Sequence, residues 1–318
     1  MTTGVSIAVL IPCFNEQNAI AQVVGDFRRA LPSAAIYVYD NNSTDGTADA
    51  ARGAGAIVRR ETLQGKGHVV RRMFADVEAD IYVLVDGDGT YEAAAAPQMV
   101  QLLADDHLDM VCAIRVAAET EAYRRFHVFG NAVLSGAVRY VFGDRVHDLL
   151  SGYRVFSRRF VKSFPALAAG FETETELTVH ALELNMPIGE VRTPYRGRIS
   201  GTASKLRTFS DGLKILRTIV TLIKDERPLQ FFSLVALVLL LVGLVLGAPV
   251  VVSYVETGLV PRLPTAVLAT GLIVLSFLAL ACGLILDSVA HGTRAIKHMA
   301  YLAAGPAPAV PETRPSSR

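Results

Sequence analysis

Two aspartates separated by one glycine come directly after a short apolar run. The run is Ile81 to Val85, whose length and β-branched composition predict a buried strand, and Asp86-Gly87-Asp88-Gly89 follows it. Alternate residues of a strand point to opposite sides, so a glycine break is needed to turn both carboxylates toward one point. Paired carboxylates at such an edge suit a hard divalent cation, which can link them to phosphates. The alternative is a solvated Asp-Gly turn.

Three further polar clusters follow other predicted strands. Strands that alternate with helices predict an α/β fold, with a mostly parallel sheet and helices on both faces. Ligands of such sheets bind in the crevice outside the carboxyl ends of the strands. We therefore expect all the clusters to meet at one edge of the sheet. They are Pro12, Asn15 and Glu16; Asp40, Asn42 and Asp45; and Gly65, Lys66 and Gly67.

These clusters also have plainer interpretations. Ser43 and Thr44 can cap the helix that follows Asp40, although the polar side chains there exceed what a cap requires. Lys66 is either an exposed lysine or a point charge for a phosphate bound by the N–H groups of its glycine loop. The spacing around Lys66 differs from that of a P-loop, which argues against an ATPase of that class.

Composition narrows the classes of partner. The 318-residue chain has a net charge of +1, so no overall field favours nucleic acid, and none is expected as a partner. Its three cysteines, Cys13, Cys112 and Cys282, have apolar neighbours and no metal-binding spacing, and we expect them to be reduced. The first residues lead into a strand pattern without a signal peptide, so the N-terminal part is expected to remain in the cytoplasm.

The polar clusters carry a resemblance to a known family. In order and spacing they resemble the nucleotide-sugar-binding half of the family 2 inverting glycosyltransferases, whose domain is the Rossmann-like α/β fold called GT-A. The resemblance covers about the first 115 residues. The motifs that carry it are IPCFNE at 11–16, DNNSTDGT at 40–47, GKG at 65–67 and DGDG at 86–89.

The resemblance implies roles for individual residues. Asp86 and Asp88 would form the family's DxD, which holds Mg²⁺ or Mn²⁺ and the diphosphate of the donor. Several relatives have a glutamine two residues after the second aspartate as a further metal contact, and Thr90 takes that place here. Pro12, Asn15 and Glu16 would contact the nucleotide, Asp40 and Asn42 would line the base and ribose pocket, and Lys66 and Gly87 would complete the nucleotide-sugar site.

A second motif resembles a narrower group within family 2. The run DLLSGYR at 148–154 is similar to the D-x-x-S-G-F/Y-R element of the dolichol- and polyprenyl-phosphate sugar synthases, where it lies by the acceptor phosphate. Ser204-Lys205 resembles their G-x-S-K element, and Asp148 is either an orienting or basic group or part of a structural salt bridge. The predicted catalytic residues are Asp88, Asp148 and Arg154, and the predicted acceptor-phosphate residues are Arg115, Arg124, Arg125, Ser151, Arg154 and Lys205.

The predicted organisation places a catalytic domain before a membrane region. Residues 229–252 and 265–287 are each long and apolar enough to cross the ~30 Å hydrocarbon layer. Lysines and arginines outside this pair place both termini in the cytoplasm of a protein that crosses the cell (inner) membrane twice. The domains are 1–195 for the catalytic domain, 196–227 for a basic amphipathic interfacial segment, 228–288 for the membrane region, and 289–318 for a tail that is disordered from about 305.

Two of these segments are predicted from helical periodicity. Near 122–142, arginines lie among aromatic residues, which suits the headgroup boundary of a membrane, although a core-facing helix fits the same pattern. Residues 196–227 hold eight Lys or Arg against three Asp or Glu beside an apolar stripe, which favours a helix at the membrane surface.

Three functions fit these features. The first is metal-dependent, inverting transfer of a sugar from a nucleoside diphosphate to a polyprenyl phosphate at the cytoplasmic face of the membrane. The second is a processive polysaccharide synthase. Relatives of that kind carry a Q-x-x-R-W element and more spans, whereas this chain has no tryptophan and only two predicted spans, which argues against this function. The third is a membrane-anchored scaffold that binds sugar nucleotides without turnover. Assembly into a homo-oligomer through the membrane helices stays open.

Overall fold

The computed structural model of the protein describes residues 5–117, 136, 146–166, 173–195, 220–221 and 224–305. Of the predicted interfacial segments, the structure describes 136, 220–221 and 224–227. Arg124, Arg125, Lys205 and the tail beyond 305 lie outside the described residues. The chain divides into two compact units, one formed by Met1–Gly212 with Ile296–Arg318 and the other by Leu213–Ala295.

The described part of the first unit contains a sheet of seven strands. They are β1 Ile7–Cys13, β2 Ala35–Asp40, β3 Ile57–Arg60, β4 Ile81–Leu84, β5 Met110–Ala117, β6 Arg154–Ser157 and β7 Ile188–Tyr195. Their order across the sheet is β3-β2-β1-β4-β6-β5-β7. All neighbours pair in parallel except β6, which runs antiparallel to β4 and β5. The structure confirms a mostly parallel α/β sheet and adds an antiparallel strand that the sequence did not predict.

Helices cover both faces of this sheet. The side chains of β1 alternate between the two faces, and each face carries an apolar cluster that the helices bury. Val9 and Ile11 belong to one cluster, and Ala8 and Leu10 belong to the other. Each fully buried aliphatic side chain of this kind contributes roughly 1.5–3 kcal/mol to folding. Up to residue 183, the α-helices among the described residues are α1 Gln17–Ala30, α2 Thr47–Gly53, α3 Lys66–Asp76, α4 Ala96–Asp105, α5 Arg158–Ser163 and α6 Thr173–Glu183.

Two long apolar helices follow, α7 Pro228–Thr257 and α8 Leu263–Ala303. By length and composition both are able to cross a membrane, with mean hydropathies of 3.0 and 2.5 in their most apolar windows. Gly258, at φ 70°, ends α7 in the left-handed conformation that favours glycine. The helices extend beyond the predicted spans, and α8 continues to Ala303, so residues 289–303 of the predicted tail are helical.

The last turns of α8, from Ile296 onward, belong to the first unit and pack on it. The Lys297 ammonium lies 2.5 Å from Glu183 Oε2 on α6, and the Tyr301 hydroxyl donates to Asp109 Oδ2 at 2.8 Å. The Arg159 guanidinium lies over the Tyr301 ring, 5.1 Å from its centroid. These contacts give this end of the chain a structural role that the prediction of a tail did not include.

His180, on α6 near this packing, makes stability depend on pH. It is 2% exposed, and burial, with a smaller contribution from Lys297, lowers its pKa to about 3. The unfolded chain therefore takes up a proton below pH ~6.5 that the folded chain excludes, so stability falls as the pH drops from about 6.5 toward 3. We expect this group to reduce the free energy of unfolding by up to about 1.4 kcal/mol per pH unit in that window.

The His180→Asn variant is expected to show a flatter dependence of stability on pH, because asparagine does not titrate. Thermal unfolding of the full chain in detergent, compared for wild type and variant between about pH 4 and pH 7, measures the difference. His291, which is exposed on α8, provides the control variant His291→Asn. Parallel pH curves for wild type and His180→Asn would contradict the prediction.

Candidate active site

The loops after β1 and β2 are joined by hydrogen bonds at the carboxyl edge of the sheet. Asn15, at φ 55°, donates its N–H to Ser43 Oγ at 2.9 Å and accepts the Thr44 N–H on Oδ1 at 2.8 Å. The Glu16 N–H donates to Thr47 Oγ1 at 2.8 Å. No side chain caps α2 at its N-cap residue, so Ser43 and Thr44 hold the loop after β1 instead of serving as its N-cap.

Asn41 extends this network to the glycine loop before α3. Its Nδ2 donates to the Leu63 carbonyl at 2.7 Å, and its Oδ1 accepts the Gly65 N–H at 2.8 Å. The next residue, Asn42, is the one predicted to line the base and ribose pocket, and its Nδ2 donates to the Thr62 carbonyl at 2.8 Å. Asn41 therefore positions the loop that carries Lys66, a role that only the paired strands reveal.

The DGDG turn packs against the end of β1. A Cβ atom added to Gly87 would lie 2.5 Å from the Cys13 sulfur, so only glycine fits without a shift. Asp88 is buried, and its Oδ1 accepts the N–H of Thr90 at 3.1 Å and the Thr90 hydroxyl at 2.6 Å. Thr90 thus orients the second aspartate.

The thiol of Cys13 shows how much negative charge gathers here. Burial raises its pKa, and the carboxylates around it raise it further. A cysteine in these surroundings stays protonated and unreactive. The carboxylates that act on it are Glu16, Asp40, Asp86 and Asp88, so the structure brings together side chains from three of the predicted clusters.

Lys66 is the positive charge that faces this cluster. Its Nζ lies 2.5 Å from Asp86 Oδ1 and 2.5 Å from Glu174 Oε1, and its side chain is 13% exposed. Burial alone would lower the pKa of Lys66, but Asp86 and Glu174 outweigh burial and raise it. The predicted exposed-lysine alternative is therefore wrong, and a lysine cation already neutralises the first aspartate.

Gly152 brings the DLLSGYR run against the first aspartate. A Cβ atom added to Gly152 would lie 2.2 Å from Asp86 Oδ2, so the two motifs are in direct contact. The Gly152 N–H donates to the Tyr91 hydroxyl at 2.8 Å, and the Tyr91 ring packs edge-on against Tyr195 at 5.3 Å. Neither tyrosine was selected from the sequence.

Arg115 and Asp148 form a bidentate ion pair at the next position along this surface. Arg115 Nε and Nη2 each donate to one Asp148 oxygen at 2.8 Å, and the Arg115 N–H adds a bond of 3.2 Å. The Arg115 guanidinium also lies over the Tyr195 ring at 5.5 Å. Asp148 therefore takes part in the salt bridge that was one of its two predicted roles.

Arg154 and Ser151 lie inside the protein instead of lining its surface. The fully buried Arg154 guanidinium donates to the carbonyls of Ser151 and Leu149, at 3.0 and 2.7 Å, and to Thr178 Oγ1 at 2.7 Å. It thereby ties the DLLSGYR run to α6, the helix that begins one residue before Glu174. Binding of phosphate by Ser151 or Arg154 stays a prediction, and in this structure the guanidinium has other partners.

The donor set of this site fits a hard divalent cation. Asp86 and Asp88 offer carboxylate oxygens, which are the ligands that such a cation prefers. Among the described residues, no three Asp, Glu, His or Cys side chains lie close enough together to form a metal site by themselves. A cation held here would complete its shell with diphosphate oxygens and water, as Mg²⁺ commonly does.

The chain is similar to proteins of one family. The model described as glycosyl transferase family 2 matches residues 8–164. An uncharacterised protein of Shigella flexneri is 54% identical over 48% of this chain and 94% of the relative. Glycosyltransferase AglJ of Haloferax volcanii is 33% identical over 80% of this chain and 83% of the relative. A dolichyl-phosphate hexose transferase of the same organism is 29% identical over 70% of this chain and 95% of the relative.

The fold is also similar to that of a solved enzyme. Glucosyl-3-phosphoglycerate synthase from Mycobacterium tuberculosis, in complex with Mn²⁺, uridine diphosphate and glucosyl-3-phosphoglycerate, superimposes with a TM-score of 0.56 and 25% identity. The likeness covers 70% of this chain and 80% of that chain. It confirms the GT-A fold that the resemblance implied.

Proposed function

The chain belongs to glycosyl transferase family 2, and we propose that it transfers a hexose from a nucleoside diphosphate sugar to a polyprenyl phosphate at the cytoplasmic face of the membrane. The observation that carries this proposal is the contact between Gly152 and Asp86. It joins the element that resembles an acceptor-phosphate site to the aspartate of the donor site. A charged donor and a charged acceptor can therefore be held next to each other, which is the main requirement of such a transfer.

The choice of a lipid phosphate as acceptor has two further supports. One relative is named a dolichyl-phosphate hexose transferase. The helices α7 and α8 are apolar enough to hold the chain in the membrane where such an acceptor resides. In our proposal both termini are cytoplasmic, because Lys224, Arg227, Arg294 and Lys297 flank the apolar segments.

On the donor side, we assign the cation to Asp86 and Asp88 and the diphosphate to their neighbourhood. Pro12, Asn15, Glu16, Asp40 and Asn42 are proposed to surround the nucleotide. When bound, Mg²⁺ or Mn²⁺ supplies Lewis-acid neutralisation of the charge that develops on the leaving diphosphate. Mn²⁺ and uridine diphosphate are present together in the solved synthase, which supports this assignment.

On the acceptor side, a phosphate oxygen attacks the anomeric carbon while the bond from that carbon to the diphosphate oxygen breaks. Attack from the opposite face inverts the anomeric centre. The acceptor oxygen is already anionic, so a general base adds little. We therefore assign Asp148 to orient Arg115, whose remaining N–H donors face the acceptor phosphate. Ser151 and Arg154 are proposed to position the loop that carries Gly152.

The function is tested by incubating the purified full-length chain with radiolabelled UDP- and GDP-hexoses and a polyprenyl phosphate. We expect a lipid-linked radioactive product from at least one donor, and its loss in EDTA with recovery on adding Mn²⁺. Binding of a sugar nucleotide without transfer to any lipid phosphate would instead favour the scaffold. Transfer at an unchanged rate in EDTA would contradict the metal dependence.

The Arg115→Lys variant is expected to raise the KM for the acceptor by about tenfold, because lysine cannot make the bidentate pair with Asp148. Initial rates at varied acceptor and saturating donor measure the effect, and the donor KM should stay within about twofold. Arg192 lies exposed on β7 next to β5, so Arg192→Lys is the matched control. An equal rise in the donor KM would show that Arg115 acts elsewhere.

A further inference from the structure

Glu174 is a third carboxylate beside the donor site, and nothing in its local sequence singles it out. It lies in the first turn of α6 and is 7% exposed. Its Oε1 accepts from the same Lys66 ammonium that contacts Asp86, at 2.5 Å to each. A buried carboxylate in an ion pair is often purely structural. Two features of the site favour a functional role for Glu174 instead.

The first such observation is the second oxygen of Glu174. Oε2 is buried and has no hydrogen-bond partner among the described residues. A buried carboxylate oxygen without a partner is costly, and its presence suggests that it gains a partner in another state of the site. The Lys66 ammonium is the nearest cation described, and one of its three N–H groups is not used by Asp86 or Glu174.

The second observation is that Lys66 already occupies Asp86. A divalent cation held by Asp86 and Asp88 would bring a second positive charge to the oxygen that the ammonium contacts. Two positive charges that contact the same carboxylate repel each other strongly in a site of low dielectric. Binding of the cation is therefore incompatible with the ammonium staying where it is, unless Lys66 has another anionic partner within reach.

On the basis of the proposed function, we propose that Glu174 is the positioning residue that keeps Lys66 in the site while its ammonium exchanges Asp86 for the donor diphosphate. In the state described, Lys66 bridges Asp86 and Glu174. When a cation takes Asp86, Lys66 stays on Glu174, now able to contact both of its oxygens, and directs its remaining N–H toward the diphosphate. Lys66 is the first residue of α3 and directly follows Gly65, so its side chain lies at the end of the helix that faces the site.

This arrangement predicts a specific coupling between Glu174 and Lys66. In Glu174→Gln, Asp86 is the only charged partner that Lys66 keeps among the described residues, so the ammonium competes with the cation. We expect the affinity for Mn²⁺ to fall about tenfold, or about 1.4 kcal/mol. In the Lys66→Gln background the competitor is gone, and adding Glu174→Gln should change the affinity by about twofold or less. A double-mutant cycle isolates the coupling.

The measurement is Mn²⁺ binding by the full chain in detergent, followed by electron paramagnetic resonance of the free ion, without donor, acceptor or turnover. Glu176→Gln, in the same helical turn and with the same change of charge, is the control, and thermal unfolding reports whether each variant folds. If Glu174→Gln does not fold, Glu174→Asp, which withdraws the carboxylate from Lys66, enters the same cycle.

The outcomes separate this inference from the proposed function. A loss of Mn²⁺ affinity that disappears in the Lys66→Gln background supports the exchange. An equal loss of Mn²⁺ affinity in both backgrounds means that Glu174 acts on the cation directly. No loss in either background means that Glu174 is structural. Each of these results overturns the inference but leaves the metal binding of the proposed function intact. If wild type binds no Mn²⁺, the metal dependence of the proposed function fails, and the exchange fails with it.

Discussion

Asp88→Asn is expected to lower kcat/KM for sugar transfer by about a thousandfold, equivalent to about 4 kcal/mol of transition-state stabilisation. The change keeps the size of the side chain and an oxygen able to accept from Thr90, so the turn should persist. It removes a negative charge from a buried position where the leaving diphosphate needs a cation. Initial rates at saturating Mn²⁺ and varied donor measure the loss.

The comparison with a surface carboxylate makes this test specific. Asp49 on α2 has a side chain that is 87% exposed, so Asp49→Asn changes the net charge equally without touching the site. Its rate should stay within about twofold of wild type, because substitutions at such positions have small effects. If Asp88→Asn kept a rate within about tenfold and bound Mn²⁺ as well as wild type does, the assignment of the cation to this residue would be wrong.

The donor edge was predictable from the sequence because its signals are local. Each polar cluster lies at the end of a predicted strand or in the loop after it, and parallel strands present their carboxyl ends at one edge of the sheet. Asp86, Asp88 and Lys66 needed only that rule and the family resemblance to be selected. The hydrogen bonds between the loops after β1 and β2, and the contact of Gly87 with Cys13, bring these segments together at that edge.

The side chains that the sequence did not single out depend on contacts between distant segments. Glu174 is separated from Lys66 by 108 positions, and nothing in the acidic start of α6 distinguishes it from Glu176. Asn41 and Asn42 are adjacent and identical, and both bond the loop between β3 and α3, but only the pairing of β2 with β3 shows that Asn41 is the one that holds Leu63 and Gly65. Tyr91 contacts Gly152 because β6 inserts between β4 and β5, an order that sequence periodicity does not reveal.

Arg154 shows the limit of carrying a role over from a motif. A motif arginine near an expected phosphate site is naturally predicted to bind that phosphate. Here β6 begins at Arg154 and is buried along its whole length, so the guanidinium donates to backbone carbonyls and to Thr178 Oγ1. The four residues of β6 are all buried, so the sequence there does not alternate between apolar and polar residues as a half-buried strand does. For this reason β6 was not predicted.

Gly152→Ala is expected to lower kcat/KM by about a hundredfold, or about 2.7 kcal/mol, with little effect on thermal unfolding. The added methyl carbon would lie 2.2 Å from Asp86 Oδ2 and 2.8 Å from its carboxyl carbon, so the Asp86 side chain must turn away. A short side chain can turn at small cost to folding, but its carboxylate then leaves the position in which it contacts Lys66 and in which it is proposed to bind the cation.

The same substitution at an open glycine separates this effect from helix or backbone effects. Gly53, at the end of α2, has no atom within 4 Å of an added Cβ, so Gly53→Ala should leave the rate unchanged. Mn²⁺ binding should weaken in Gly152→Ala and stay normal in Gly53→Ala, since only the first displaces Asp86. A Gly152→Ala enzyme with wild-type rate and Mn²⁺ affinity would mean that the donor and acceptor elements do not depend on each other, and the proposed transfer would lose the contact on which it rests.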